Sequence, residues 1–560
     1  MNPGVRLFAA PGVLFAAALL CYLLPRRLSG WARLVAMLAA GVAGALLLSD
    51  ATLILPSSRV ERDLGQFAPG VPLMARADPP ALVICLLATA VALLALAERR
   101  RQPLERCALL LCLAGTYVAA LAGSAVLLFG GIEIADVGAL LLAAGASPRL
   151  RLRARVAFAV QSASALGLLV AAVSLQSSLQ TSDLSAIPAS AVGWGIAGPW
   201  AFTGAMRLFA PAALPGRPGR AASTAWLPVA AIPCGLLVLL RLEQVTGTQL
   251  ATGVGDLLGA VGLAAALLGA VRAARAWRVP AAAGRGLAVA MAGEVVALSG
   301  VGSAAALSGM AALAFALVLG LAAAPAWGAG GDEGSGRGAA WVRALALAGM
   351  GGLPVGFGTT AVLLGTGAVA AQGLPRSAVA VFLGAIAVLC AVVGALAARA
   401  ALASSPPAGR VRGPRLDAAL VLGVSLVAAL LPGLVQSLFV ERVASAAGSV
   451  QGALDVATAR APGAAWPGGY LTIAVLVALA TAGSAATVVG RRWPAREAGV
   501  PAGAAQSLRA GSATFPARAQ LGRWLSRATG GLAAVDGWLV EQPGLALVVV
   551  GVVACLFIFR

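Results

Sequence analysis

The sequence predicts an all-α polytopic membrane protein, with about 14–16 transmembrane helices that include two inverted repeats containing broken helices. Three observations predict it. Hydrophobic residues make up 60% of the 560 and charged residues only 11%, where a soluble domain carries about 25% charged. The apolar residues fall into runs of about 20, the length at which a helix crosses a hydrocarbon core. The arginines lie between those runs and crowd every second gap.

Taken in order, Leu7–Leu24 and Ala32–Leu55 come first, followed by a polar break over 57–80. Ala81–Ala97, Cys107–Ala122, Ser124–Gly145, Val156–Leu175, Ala191–Ala213 and Ala225–Leu240 form one series. Ala251–Val271, Leu287–Val301, Ala304–Ala324, Val342–Ala371, Ala378–Ala398 and Ala418–Leu438 form a second, and Tyr470–Val489 and Leu545–Phe559 close the chain. The expected organisation is an N-terminal helical segment over 1–104 and a core over 105–440. The core divides into repeats of about 105–242 and 250–400 and a closing helix at 415–438. An extension over 441–560 carries two helices and a linker at 490–540. Arg26, Arg27 and Arg33, then Arg99–Arg101, Arg149–Arg155, Arg217 and Arg220, and Arg272–Arg285 mark alternate gaps. The positive-inside rule then puts those gaps and the linker in the cytoplasm, the N-terminus outside, and the chain in the cell inner (plasma) membrane.

The net charge of +20 is spread through these gaps and forms no single block, so it reads as topology and not as a nucleic-acid surface. Seven cysteines lie in or beside apolar runs without metal-ligand spacing, and histidine is absent. No metal, haem or iron–sulfur cofactor is expected in this chain, and no catalytic residue of its own. The N-terminus lacks a basic region followed by a cleavage site, so the first span is expected to be retained.

Within this apolar background, Glu133 and Asp136 stand in the middle of one run. A charge at a helix centre costs about 2.5–3.5 kcal/mol on the insertion scale, and intramembrane acids mark functional sites. Three residues apart, the two share a helical face. Arg155, at the start of the next span, is an expected partner, either in charge coupling or in a structural buried pair. Arg207 is expected to join them or to snorkel toward the membrane surface. Glu294 is a third intramembrane acid. Arg241 and Glu243 read as an interfacial pair of little energetic weight. Two Gly/Pro interruptions, GAMRLFAPAALPGRPG (204–219) with Pro211 and LALAGMGGLPVGFGTT (345–360) with Pro354, sit at matching places in the two series. Paired interruptions point to broken helices in inverted repeats.

These segments together resemble the antiporter-like membrane subunits of respiratory complex I, whose fold is shared with Mrp-type cation/proton antiporters and energy-converting hydrogenases. LLFGGIEIADVGALLLAAG (127–145) looks like the family's fifth helix, with its acid at Glu133. RARVAFAVQSASALGLLVAAVSL (153–175) looks like the sixth, with Arg155 near a family lysine. GAMRLFAP (204–211) is similar to the broken seventh, with Arg207 close to the central lysine. TAWLPVA (224–230) and RGLAVAMAGEVVALSGVG (285–302), which carries Glu294, follow in family order, as do LALAGMGGLPVGFGTT and ALLPGLVQ (429–436). Thr359 and Thr360 stand where the family keeps an intramembrane lysine or glutamate, and Ala225–Leu240 holds no ionisable residue.

The resemblance implies a non-redox membrane-arm subunit of a proton-translocating complex, of NADH-quinone oxidoreductase or hydrogenase type, partnered by other membrane subunits and the lipid bilayer. Lysine exchanges protons when buried, whereas arginine stays charged. Arg155 and Arg207 therefore imply a degenerate pathway in which Glu133, Asp136 and Glu294 are the remaining proton carriers. A stand-alone or Mrp-like antiporter component and a non-conducting scaffold are the alternatives.

Overall fold

The computed structural model describes residues 3–49, 60–68, 70–98, 101–144, 148–213, 226–247, 250, 253–324, 337–353, 362, 365–366, 369, 376–403, 416–444, 458–461 and 464–467. Pro354, Thr359, Thr360, the linker 490–540 and the runs Tyr470–Val489 and Leu545–Phe559 lie outside the described residues.

The chain is an all-α polytopic membrane protein. Ten helices among the described residues are long and apolar enough to cross a membrane. Helices α1 (Pro3–Leu23) and α2 (Ser29–Ser49) lead to a short hairpin, β1 (Val60–Ala68) and β2 (Val71–Ala77). The polar break over 57–80 thus holds an antiparallel pair registered Val60↔Ala77 and Asp63↔Met74. Then follow α3 (Pro79–Ala97), α4 (Pro103–Ala120), α5 (Ala125–Ala144), α6 (Pro148–Leu179), α7 (Trp194–Leu208) and α8 (Ile232–Thr246). The second series is α9 (Val254–Arg275), α10 (Pro280–Ser299), α11 (Ala304–Ala322), α12 (Arg337–Met350), α13 (Arg376–Ala403) and α14 (Leu416–Leu430).

The two ends of the bundle differ in kind. At one end backbone bonds tie the hairpin to the α4–α5 turn: Arg76 N donates to Leu121 O at 2.7 Å and Gly123 N to Met74 O at 2.8 Å. At the other end Arg106 Nη1 and Nη2 donate to Ser29 O and Glu98 O, each at 3.1 Å, joining the α1–α2 and α3–α4 turns. The α9–α10 turn, with Arg272, Arg275 and Arg278, falls at this second, arginine-rich end.

Two helix pairs form the tightest seams, and they match contact for contact. A Cβ added to Gly115 of α4 would lie 2.6 Å from Gly131 O and 2.8 Å from Ala135 Cα of α5. One added to Gly262 of α9 would lie 2.7 Å from both Gly293 O and Ala297 Cα of α10. Gly131 meets Ala119 as Gly293 meets Ala266, and Gly138 meets Ala108 and Cys112 as Gly300 meets Gly255 and Gly259. Bare glycine lets two backbones approach this closely, which is how membrane helices gain packing without a hydrophobic drive. One constant shift along the chain carries α4 onto α9, and another carries α5 onto α10. Since α4 ends at the hairpin end and α9 begins there, the two copies are inverted.

The same equivalence extends to α7 and α12. A Cβ on Gly235 of α8 would stand 3.0 Å from Gly204 O and 3.1 Å from Leu208 Cγ. One on Gly394 of α13 would stand 3.1 Å from Leu347 O and 2.9 Å from Gly351 Cα. Gly204 and Leu208 thereby correspond to Leu347 and Gly351, and Arg207 to Met350.

Candidate functional site

The first repeat brings Asp136 of α5 and Arg207 of α7 together. Arg207 Nη1 donates to Asp136 Oδ1 at 2.9 Å and Nη2 to Oδ2 at 2.5 Å, a bidentate pair. Arg207 is 0% exposed and Asp136 1%. Arg207 does not snorkel; it lies in the last turn of the 15-residue α7, in the bundle interior. Local chemistry explains why the helix is held there. Pro199 and Thr203 shape α7, with Thr203 Oγ1 donating to Ser164 O of α6 at 2.6 Å. Trp200 Nε1 donates to Val238 O of α8 at 2.9 Å. Pro211 then stands in a 3-10 turn, Ala210–Ala213, directly after α7.

The start of α8 is also fixed from this repeat. Leu227–Ala231 is a π-helical turn. Pro233 has no N–H to give to Val229 O, and Thr116 Oγ1 of α4 supplies that bond at 2.7 Å.

Glu133 sits one turn from Asp136 toward the hairpin end, half-buried, and forms no ion pair among the described residues. Arg155 lies in α6, but its side chain is outside the described ones. Both Asp136 oxygens are taken by Arg207. Glu294 is buried on α10, 4% exposed, and no cation pairs with it among the described residues. By the seam equivalence it occupies the place of Ile132. The places of Glu133 and Asp136 are held by Val295 and Leu298.

A second ion pair was not expected. Arg241 and Glu243 are no interfacial pair: both are 1% exposed, and Arg241 bonds instead to Asp78. The reason is that α8 runs on to Thr246, so the span includes both residues. Arg241 Nη2 also donates to Ala120 O at 2.8 Å and Nη1 to Gln244 Oε1 at 2.7 Å, while Arg76 Nε stands 3.3 Å from Asp78 Oδ2. Asp78 caps α3 by accepting from Ala81 N at 3.1 Å. Asp78 lies just outside the α3 span. Burial pushes its carboxyl up, but Arg241 and Arg76 outweigh that and hold it below its ordinary value. The Asp-Pro-Pro run before an apolar stretch is a helix-start signature that marks Asp78 in the sequence. Nothing local marks Arg241 as its partner.

Among the described residues no group of His, Cys, Asp or Glu is arranged to hold a metal ion.

The architecture defines a class: a multi-pass membrane helix bundle of two inverted repeats with a buried ion pair on a broken helix. No protein-family model matches the chain, and no curated protein matches it. Solved structures do. Over 98% of its length it is similar to a chain of the Mrp complex from Dietzia sp. DQ12-45-1b, with a TM-score of 0.71 at 22% identity, and it spans 63% of that chain. It matches a chain of the membrane-bound sulfane sulfur reductase, an archaeal respiratory membrane complex, with a TM-score of 0.72 at 14% identity, covering 99% of this chain and 100% of that one. A chain of respiratory complex I from Thermus thermophilus with bound NADH matches over 79% of this chain and 100% of its own, with a TM-score of 0.58 at 17% identity. The protein therefore has the fold of the antiporter-like membrane subunits.

Proposed function

We propose that this chain is a membrane-arm subunit of a redox-driven, proton-translocating complex of NADH-quinone oxidoreductase or hydrogenase kind, with no redox centre of its own. The observation that carries this reading is the wholly buried Asp136–Arg207 pair on a broken helix, in the fold shared with such complexes. A buried pair stabilises little, because desolvation offsets the attraction; intramembrane charge is retained where it works. Arg207 keeps its proton, so it acts as a fixed counter-charge and not as a carrier. Glu133, beside the pair, is the carboxylate free to take part. The pathway is degenerate: the second repeat has Leu298 and Met350 where the first has Asp136 and Arg207, and Glu294 is the one acid on α10. The arginine-rich end faces the cytoplasm in this reading, which places the N-terminus outside.

The test is proton uptake by the assembled complex in vesicles, comparing wild type with Glu133→Gln and Asp136→Asn. The expected result is loss of most uptake in Glu133→Gln; unchanged uptake removes Glu133 from the coupling. A second reading, an Mrp-like antiporter component, is favoured by the similarity to a chain of the Mrp complex over 98% of this chain. Co-purification separates the two: hydrogenase or dehydrogenase subunits support the first, other antiporter subunits the second, and intact assembly without ion movement a scaffold.

A further inference from the structure

Helices α6 and α7 run antiparallel in direct backbone contact. A Cβ on Gly167 would stand 2.5 Å from Pro199 O, and Thr203 Oγ1 bonds Ser164 O at 2.6 Å. One further turn along that register brings Gln161 level with Arg207. Gln161 lies on the buried face of α6 with Ser164, Ala165 and Leu168, and is itself 3% exposed. Its Nε2 has no hydrogen-bond partner, and neither has Arg207 Nε. Ser162 Oγ, next to Gln161, is enclosed and unpartnered as well. Buried polar groups in folded proteins are satisfied almost without exception. Here a side-chain amide and a guanidinium N–H, on facing helices and at one level of that register, each lack an acceptor.

We propose that Gln161 Nε2 and Arg207 Nε bind one buried water molecule at the edge of the Asp136–Arg207 pair, which makes Gln161 a positioning residue of the charge site. A water molecule has two lone pairs for the two donors and two hydrogens left for acceptors. Asp136 and the unpaired Glu133 are the carboxylates at this level. An anion would satisfy the donors too, but it would stand against both carboxylates, and the like charges exclude it. The guanidinium is thus held on two edges, one by Asp136 and one through water by α6. The inference refines the coupling site proposed above, and it stands apart from whether that site moves protons.

The experiment uses the full chain in lipid nanodiscs. A high-resolution density map of the wild type is expected to show an ordered water within about 3.2 Å of both nitrogens. Gln161→Leu is expected to lose it while the Asp136–Arg207 pair remains, and Gln161→Asn to restore it in part. An infrared carboxyl band, assigned by its disappearance in Glu133→Gln, is expected to shift in Gln161→Leu and to return toward its place in Gln161→Asn. If Gln161→Leu fails to insert, Gln161→Met replaces it. Donors bonded to protein acceptors with no water between them overturn the proposal. So does a water that persists in the variant, or a carboxyl band that does not move. Proton uptake by the assembled complex in vesicles separates the readings: water without uptake keeps this site and removes the coupling function.

Discussion

The two repeats share a scaffold and differ in charge. In the first, Gly115, Gly131 and Gly138 draw α4 against α5; in the second, Gly262, Gly293 and Gly300 draw α9 against α10 through the same contacts. Yet the first repeat seats Asp136 on Arg207, whereas the second has Leu298 and Met350 at those places. The thioether of Met350 lies over Gly320 of α11, with a Cβ there falling 2.6 Å from Met350 Cγ. Both members of the pair are apolar in the second repeat, which is what the physics requires. A lone buried charge costs far more than a pair or two hydrocarbon groups. The backbone seam and the charge site are therefore separable layers of one fold.

Substitutions that import one repeat's residues into the other break or sharpen this comparison. The largest effect belongs to Arg207→Met alone, which leaves Asp136 buried without its partner. It should cost about 3–5 kcal/mol in unfolding measured by denaturant titration in bicelles. Next come Gly131→Ala and Gly293→Ala, each placing a methyl against backbone. Both should lose about 1–3 kcal/mol, and by similar amounts, because the seams are equivalent; a difference larger than that range would break the equivalence. Asp78 gives a pH-dependent effect. Its carboxyl is held low in the folded state, so its stabilisation is present above the ordinary carboxylate value of about 3.9 and lost as pH falls below it. The excess of wild type over Asp78→Asn in unfolding resistance should be flat from neutrality to about pH 5 and shrink on further acidification. The smallest effect is expected of Asp136→Leu combined with Arg207→Met, which copies the second repeat into the first. Stability should stay within about 1 kcal/mol of wild type, since an apolar pair often replaces a buried ion pair without loss. Proton uptake should fall well below wild type.

Much of this was legible in the sequence, and the remainder was hidden for definite reasons. Apolar runs located the spans, and acids inside one run located α5 as the charged helix. The Gly/Pro interruption placed Arg207 on a broken helix. Which of Glu133 and Asp136 it would take was not legible. Three residues turn a helix about 60° short of a full circle, and only the glycine seam with α4 fixes which of the two faces α7. The seam itself was obscured because glycine is common throughout, with 70 in the chain. Asp78 and Arg241 stand far apart in sequence, and an apolar run that ends at Leu240 gave no reason to carry the helix to Thr246. Glu294 read as a third intramembrane acid, with nothing in its run to say which place of the first repeat it matches. The contact register of α10 sets it one residue out of step with Glu133, on a different side of its helix.

Glycine has no smaller neighbour among the amino acids. At Gly131 or Gly293, therefore, every missense change must lengthen the distance between two helices, and none can be absorbed by a gradual series of lesser ones. Charged positions have no such floor, as Leu298 and Met350 illustrate. In a chain of this build, the shape of the bundle is the part most resistant to drift, and the chemistry carried on it is the part most easily exchanged.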